Sequence, residues 1–237
     1  MLLNGSVRRD PEVPVRLGKD RIDVAGQRVQ AGPRVYLMMN KPRGVLTTAS
    51  DEKGRQTVYA YLDERLPWVA PVGRLDKASE GLLFLTNDSE WAGKVSAPES
   101  HLDKTYHVQV GTIAGPELLE QMVKGLKSDG EVLRVKRASI LRGGEKNSWL
   151  EIILDEGKNR QIRRILEALE IEVLRLVRVS IGPLQLGDLK KGEVRRLSPE
   201  DKEAVDRAMK CAVDSEKGGR ASRERESYSR TAGSRVK

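Results

Sequence analysis

The sequence predicts an α+β protein on three observations: short stretches of period-two alternation recur along the chain, helix-period segments lie between them, and no repeat period joins them. A length of 237 residues, at roughly 150 per domain, allows about 1.6 domains, one of catalytic size plus an appendage. Hydrophobic residues at 38% and charged residues at 33% describe a water-soluble chain with a heavily charged surface. No apolar run approaches the roughly 20 residues that span a bilayer, and Met1-Leu2-Leu3-Asn4-Gly5 has no charged-then-apolar leader, so a cytoplasmic location is expected.

The elements are taken in chain order. Ser6 to Arg8, Ile22 to Val24 and Arg28-Val29 read as short strands between turn signals at Gly5, Pro11, Pro14, Gly18, Gly26 and Gly32, a small β unit too short to hold a core alone. Val35 to Met39 is apolar throughout and reads as a buried strand, stopped by Asn40-Lys41-Pro42-Arg43-Gly44. A second apolar strand, Leu82 to Thr86, comes after the polar turn Gly73-Arg74-Leu75-Asp76-Lys77. Asn87 or Asp88 can cap a helix that runs to Ser96 and is closed by Pro98. Lys104 to Val110 alternates as a strand, Pro116 to Lys124 has helical spacing, and Glu131 to Leu141 and Trp149 to Leu154 alternate again. In Gln161 to Leu169, Ile162, Ile165, Leu166 and Leu169 form one apolar stripe, with Arg160 and Arg164 opposite it and Arg163 at its border. Val173 to Ile181 is a further strand. Ser198-Pro199-Glu200-Asp201 is a capping box with Pro at the first helical position, opening a last helix to Cys211.

Cys211 is the only cysteine and His101 and His107 the only histidines, which leaves no disulfide framework and no cysteine-based zinc site. Chemistry must rest on carboxylates, tyrosines or basic groups. The formal charge of +8 and pI near 9.6 favour a polyanionic partner. Half of that excess lies in 215–237, where seven Lys or Arg face three Glu; this Ser-, Gly-, Arg- and Glu-rich segment lacks the apolar residues that would offset its ordering entropy and is expected to be disordered, either as a solubilising tail or as an RNA contact.

Three places could carry chemistry. Asp76 stands in its turn between Arg74 and Lys77, whose charges favour the carboxylate form. Lys104 and Tyr106 alternate along a strand and so point to one face. Gly157-Lys158-Asn159-Arg160-Gln161-Ile162-Arg163-Arg164 puts four cations at a helix start, against the helix dipole, as a polyanion site would. Each also has a plain reading on its own: a surface aspartate, a core tyrosine, a solvated basic face.

Taken as an ordered set, these segments resemble a known family. Asn40-Lys41-Pro42-Arg43-Gly44, then Val72-Gly73-Arg74-Leu75-Asp76 with Glu80 to Asp88, then Lys104-Thr105-Tyr106, then Glu156 to Arg164, look like the RsuA/RluB-type ribosomal RNA pseudouridine synthases, over Tyr36 to Ser198. The resemblance implies a catalytic domain with a central mixed, mostly antiparallel sheet and flanking helices. It implies an isomerase that detaches uracil from its ribose and reattaches it through carbon, after flipping the uridine out of structured RNA. Asp76 is then the nucleophile, Tyr106 stacks on the base and serves in proton transfer, and Arg163 pairs with Asp76; Lys41, Arg43, Arg74, Lys104, Lys158, Arg160 and Arg164 are the candidate RNA contacts. No metal, no cofactor and a monomer are expected, with ribosomal RNA or a pre-ribosomal particle as partner.

The same resemblance divides the chain into 1–35, the second half of an S4-like RNA-binding module; 36–200, the catalytic domain; a helix at 201–214; and the tail. The helices that usually lead such a module are missing here, through truncation or degradation. Arg160 stands where small-subunit enzymes tend to carry His, which favours a large-subunit target. A small-subunit rRNA enzyme, or a catalytically silent rRNA-binding or ribosome-assembly protein, are the rival readings.

Overall fold

A computed structural model describes residues 1–10, 12–16, 19–29 and 32–210. Pro11, Gly18, Cys211 and the expected basic tail lie outside the described residues. The chain divides into two units, Met1–Arg34 and everything from Val35 on.

The first unit is a four-stranded antiparallel sheet of β1 (Leu2–Leu3), β2 (Ser6–Val7), β3 (Ile22–Val24) and β4 (Gln27–Val29), in the order β2-β1-β3-β4. Two hairpins account for it. Asn4-Gly5 and Ala25-Gly26 each supply two successive positive-φ residues between paired strands, the turn whose twist matches that of the strands it joins. Strand β1, only two residues long, carries too short a pattern to be read from sequence.

The second unit runs through β5 (Tyr36–Lys41), a 3₁₀ turn at Val58–Tyr61, β6 (Ala70–Val72), β7 (Glu80–Thr86), α1 (Ser89–Ser96) and β8 (Lys104–Val110). It continues with α2 (Pro116–Lys124), β9 (Leu126–Ser128), β10 (Glu131–Leu133), β11 (Arg137–Gly143), β12 (Ser148–Leu154) and α3 (Gln161–Ala168). It closes with β13 (Val173–Ile181), β14 (Leu184–Gln185), β15 (Val194–Arg196) and a helix α4 over 199–210. One nine-stranded mixed sheet organises it, in the order β11-β12-β8-β13-β7-β5-β15, with β6 on β7 and β14 on β13. The pairing of β7 with β13 is parallel and the other pairings in this sheet are antiparallel.

The predicted helix starts hold in detail. Asp88 caps α1 by accepting from the Trp91 amide at 3.2 Å, and Ser198 and Asp201 accept reciprocally from each other's amides at 3.1 Å each, the capping box that opens α4. The expected single strand from Glu131 to Leu141 is instead two, β10 and β11. Leu133 and Val135 are both buried, so the alternation continues through the bend where Val135 and Lys136 donate to Met122 and Ile153 rather than to one partner strand. Sequence alone sees only the unbroken alternation.

Helices cover the sheet unequally. On one face α2 and α3 insert Met122, Ile162, Ile165 and Leu166 against Leu83, Val108 and Leu150. On the other, α1 and α4 pack Trp91, Val95, Val205 and Met209 onto Met38, Leu82 and Phe84 of β5 and β7. All seven residues of β7 are buried, whereas β8 and β12 alternate buried and half-buried, so the second face stays open over β8 and β12. In α3 the buried stripe is decisive: three apolar side chains at about 1.5–3 kcal/mol each outweigh cations at the helix start costing about 0.3–1 kcal/mol apiece.

Gly81 lies at the centre of the sheet, opposite Lys41 of β5 and Arg178 of β13, with φ 108°. A Cβ there would overlap the Arg178 carbonyl oxygen and sit 2.8 Å from its nitrogen. Gly81→Ala should therefore cost at least about 3 kcal/mol and lower the melting temperature by about 6–12 °C; a thermal melt within about 2 °C of wild type contradicts this.

Candidate active site

The turn from Gly73 to Ser79 joins β6 to β7 and carries Asp76, whose side chain is 36% exposed. Its shape is imposed from beneath. The Lys41 ammonium, fully buried, donates to the carbonyls of Asp76 at 3.2 Å, Ser79 at 2.8 Å and Pro42 at 3.1 Å. Thr47 Oγ donates to Leu75 O at 2.8 Å, and buried Leu75 anchors the turn in the core. Burial pushes the Lys41 ammonium down to about 8, with Asp76 and Glu80 pulling the other way.

Helix α3 brings Arg163 against the same turn. Its guanidinium is 14% exposed; Nη2 donates to Ala78 O at 3.1 Å, and Nε lies 3.9 Å from Asp76 Oδ2 with no hydrogen-bond partner of its own. Burial lowers the Arg163 pKa and the Asp76 charge opposes that. Arg163 thus holds the turn through one nitrogen and faces the carboxylate with another.

Tyr106, nearly buried on β8, sits opposite Arg178 of β13 and Ile152 of β12. Asp76, Tyr106 and Arg163 all line one cavity of about 180 Å³. Its apolar wall is Val72, Leu75, Leu154, Ile162 and Leu176; its rim is cationic, with Arg74, Lys104, Lys158 and Arg160. A planar, uncharged ring carrying an anionic tether fits that division.

Of the other predicted residues, Lys104 donates to Leu102 O at 3.0 Å, and burial and then Arg178 lower its pKa. Arg160, exposed, caps α3 in the left-handed conformation, and Arg43, also exposed, donates to Leu174 O at 3.3 Å. Two predicted RNA contacts are placed otherwise. Lys41 presents no surface, since its ammonium is spent on the three carbonyls. Arg164, expected on the outer side of α3, is covered by the β9–β10 hairpin: it donates to Ser128 O at 2.8 Å and Glu131 Oε2 at 3.0 Å. A hairpin folding back over a helix leaves no local pattern in the sequence.

Arg178 and Ser79 line the cavity too and escaped the sequence reading. Arg178 is buried, donates through Nε to Leu82 O at 2.7 Å, and leaves Nη2 without a partner. The available signal was an arginine at the buried phase of an otherwise apolar strand. Among the described residues, no cluster of three His, Cys, Asp or Glu could hold a metal, and no helix is long and apolar enough to cross a membrane.

Residues 35–168 match the profile of the RNA pseudouridylate synthase family. The chain is 37% identical over 201 residues to ribosomal large subunit pseudouridine synthase B of Bacillus subtilis, covering 84% of this chain and 82% of the relative. It is 35% identical to ribosomal large subunit pseudouridine synthase E of Vibrio parahaemolyticus, covering 76% and 77%. A solved pseudouridylate synthase superposes with a TM-score of 0.67 at 27% identity, covering 86% of this chain and 87% of that one.

Removing the Lys41 ammonium should strand the carbonyls of Pro42 and Ser79 and leave that of Asp76 with the Ser79 amide alone. Lys41→Met is expected to destabilise by about 2–4 kcal/mol, because the unmet acceptors at about 1–3 kcal/mol each exceed the relief of uncharging a buried site. Hydrogen exchange at the Ser79 amide, which donates to Asp76 O at 3.0 Å, should speed up; unchanged exchange and melting would refute the pinning role.

Proposed function

Because the chain belongs to the RNA pseudouridylate synthase family, in its RsuA/RluB-type branch, we propose that this isomerase converts one uridine of large-subunit ribosomal RNA to pseudouridine. The observation that carries the reading is the convergence of Asp76, Tyr106 and Arg163 on one half-apolar cavity with a cationic rim. The target class rests on the names of the two large-subunit relatives. A uridine in structured RNA has to leave its stack to enter the cavity, and the rim cations Arg74, Lys104, Lys158 and Arg160, with Arg43 outside, hold its phosphates.

In this reading Asp76 is the nucleophile. Arg163 faces its carboxylate at 3.9 Å and aims it without a direct hydrogen bond that would blunt it. The Asp76 carboxylate bonds to the nucleoside, the bond from ribose C1′ to a ring nitrogen breaks, the base turns against Tyr106, a bond from C1′ to a ring carbon forms, and the bond to Asp76 breaks again. Tyr106 relays the proton that this carbon loses to the freed nitrogen, so atoms and charge balance. Lys41 and Arg164 serve as positioning residues of the turn and the hairpin. This chemistry needs neither metal nor organic cofactor, and a monomer in the cytoplasm suffices for it. Residues 1–35 are read as the second half of an S4-like RNA-binding module, and 36–200 as the catalytic domain.

Asp76→Asn should abolish pseudouridine formation, by at least about 10³-fold, while RNA affinity stays within a few fold. Arg163→Lys should cut kcat by about 10- to 100-fold, since an ammonium cannot hold Ala78 O and face Asp76 together. Carbodiimide primer extension on rRNA from a deletion strain, complemented with each variant, reads both. Near-wild-type turnover by Asp76→Asn would overturn the nucleophile assignment, and unchanged pseudouridines in the deletion strain would leave a silent rRNA binder.

A further inference from the structure

The strands that present Tyr106 to the cavity present a different set of side chains on the sheet's open face. Arg142 of β11 pairs with Trp149 of β12, Trp149 with Gln109 of β8, and Gln109 with Arg175 of β13, so these four form one straight row across four strands. The indole is flanked by guanidinium groups, with Arg142 Cζ 5.1 Å and Arg175 Cζ 5.8 Å from the ring centroid. The next row places Glu151 between Ser139 and His107, with exposed Arg137 paired to Glu151 at 3.6 Å. Arg137 is thus paired with Glu151 and Arg175, through Nε, with buried Glu80, Arg142 is exposed, and the helices that pack the second face at β5 and β7 do not reach over Trp149.

An antiparallel sheet with a wet face is ordinary. A half-buried tryptophan flanked by two guanidinium groups is not, because it gathers an aromatic ring and positive charge in one place on that face. Arg43, whose charge bears on Arg163 on the cavity side, donates to the carbonyl of Leu174, the chain neighbour of Arg175.

We propose that the open face of β11-β12-β8-β13 is a second RNA-docking surface, on which Trp149 stacks a base of a single-stranded segment flanking the target while Arg142 and Arg175 hold its phosphates. The proposal rests on the RNA substrate read above. A base has a π-face whatever its sequence, and the guanidinium planes beside the indole supply both stacking and phosphate contacts. The surface acts on affinity and not on chemistry, because its side chains lie on the opposite face of β8 from Tyr106.

The test uses the full-length protein with a fluorescein-labelled single-stranded 20-nucleotide oligouridylate, by anisotropy at several salt concentrations, and pseudouridine formation on 23S rRNA transcript. Trp149→Ala should weaken oligouridylate binding about 10-fold and Trp149→Phe by less than about 3-fold. Arg142→Ala, which alters only an exposed side chain, should make the salt dependence shallower by about 0.7 in slope. On the transcript all three should raise KM and leave kcat unchanged. Wild-type affinity and slope in Arg142→Ala and the folded Trp149 variants would overturn the proposal, and should Trp149→Ala fail to fold, Arg142→Ala and Trp149→Phe decide. If the wild type forms no pseudouridine but its binding depends on Arg142 and Trp149, the catalytic reading falls and the docking surface stands; pseudouridine formation with unaltered binding in every variant sinks the surface alone.

Discussion

A buried ammonium that donates to three backbone carbonyls ties the end of β5 to the turn between β6 and β7, and the position of Asp76 depends on it. A buried charge costs several kcal/mol unless its surroundings replace the water it lost. Here the replacement is main chain, so the turn cannot relax without exposing the charge to an apolar core. Arg163 completes the grip from the opposite side through Ala78 O. Two cations thus hold the turn by its carbonyls and leave the one carboxylate free to face the cavity.

The same arrangement explains why the region is so basic. Lys41, Lys104 and Arg163 all have their pKa values lowered by burial; Asp76, the one acid lining the cavity, opposes this at Lys41 and Arg163, and Asp103 and Asp155 oppose it at Lys104. Cations gathered around a single acid repel one another, and packing of β5, β7 and α3 supplies the stability that tolerates it. A phosphodiester entering the rim removes part of that repulsion, so the strain of the empty site favours a polyanionic ligand. Glu80 shows the contrast: buried where Asp76 is part-exposed, it is paired with Arg175 and with Lys191 at 2.9 Å, and its role ends in holding β7 to β13.

Much of this was legible in the sequence where the signal is local. The strand Lys104–Val110, the helix Pro116–Lys124 and the capping box at Ser198 come from spacing and from side chains that reach only three or four residues. The border position of Arg163 on its helical stripe foretold its burial beside the core, because helical phase is a property of the segment itself. What stayed hidden depends on segments distant in sequence. Lys41 read as a basic residue in a polar motif, and only the return of the chain at Ser79 makes it an internal donor. Arg164 read as exposed until the β9–β10 hairpin lay over it. Strand Val194–Arg196, with two arginines in three residues, has no strand pattern of its own and is ordered by pairing with Leu37 to Met39.

Strand alternation also sets how one sheet can hold two kinds of surface. Along β8, Tyr106, Val108 and Val110 face the packed side, while His107 and Gln109 face the open one, and β12 repeats this with Leu150 and Ile152 against Trp149 and Glu151. A substitution on one face therefore leaves the register and the other face intact, provided it does not change which residues are buried. The same alternation separates two arginines of β13: between the register shifts at Leu174 and Val179 the pairing runs unbroken, so Arg175 and Arg178, three residues apart, lie on opposite faces, one beside the indole and one in the cavity wall.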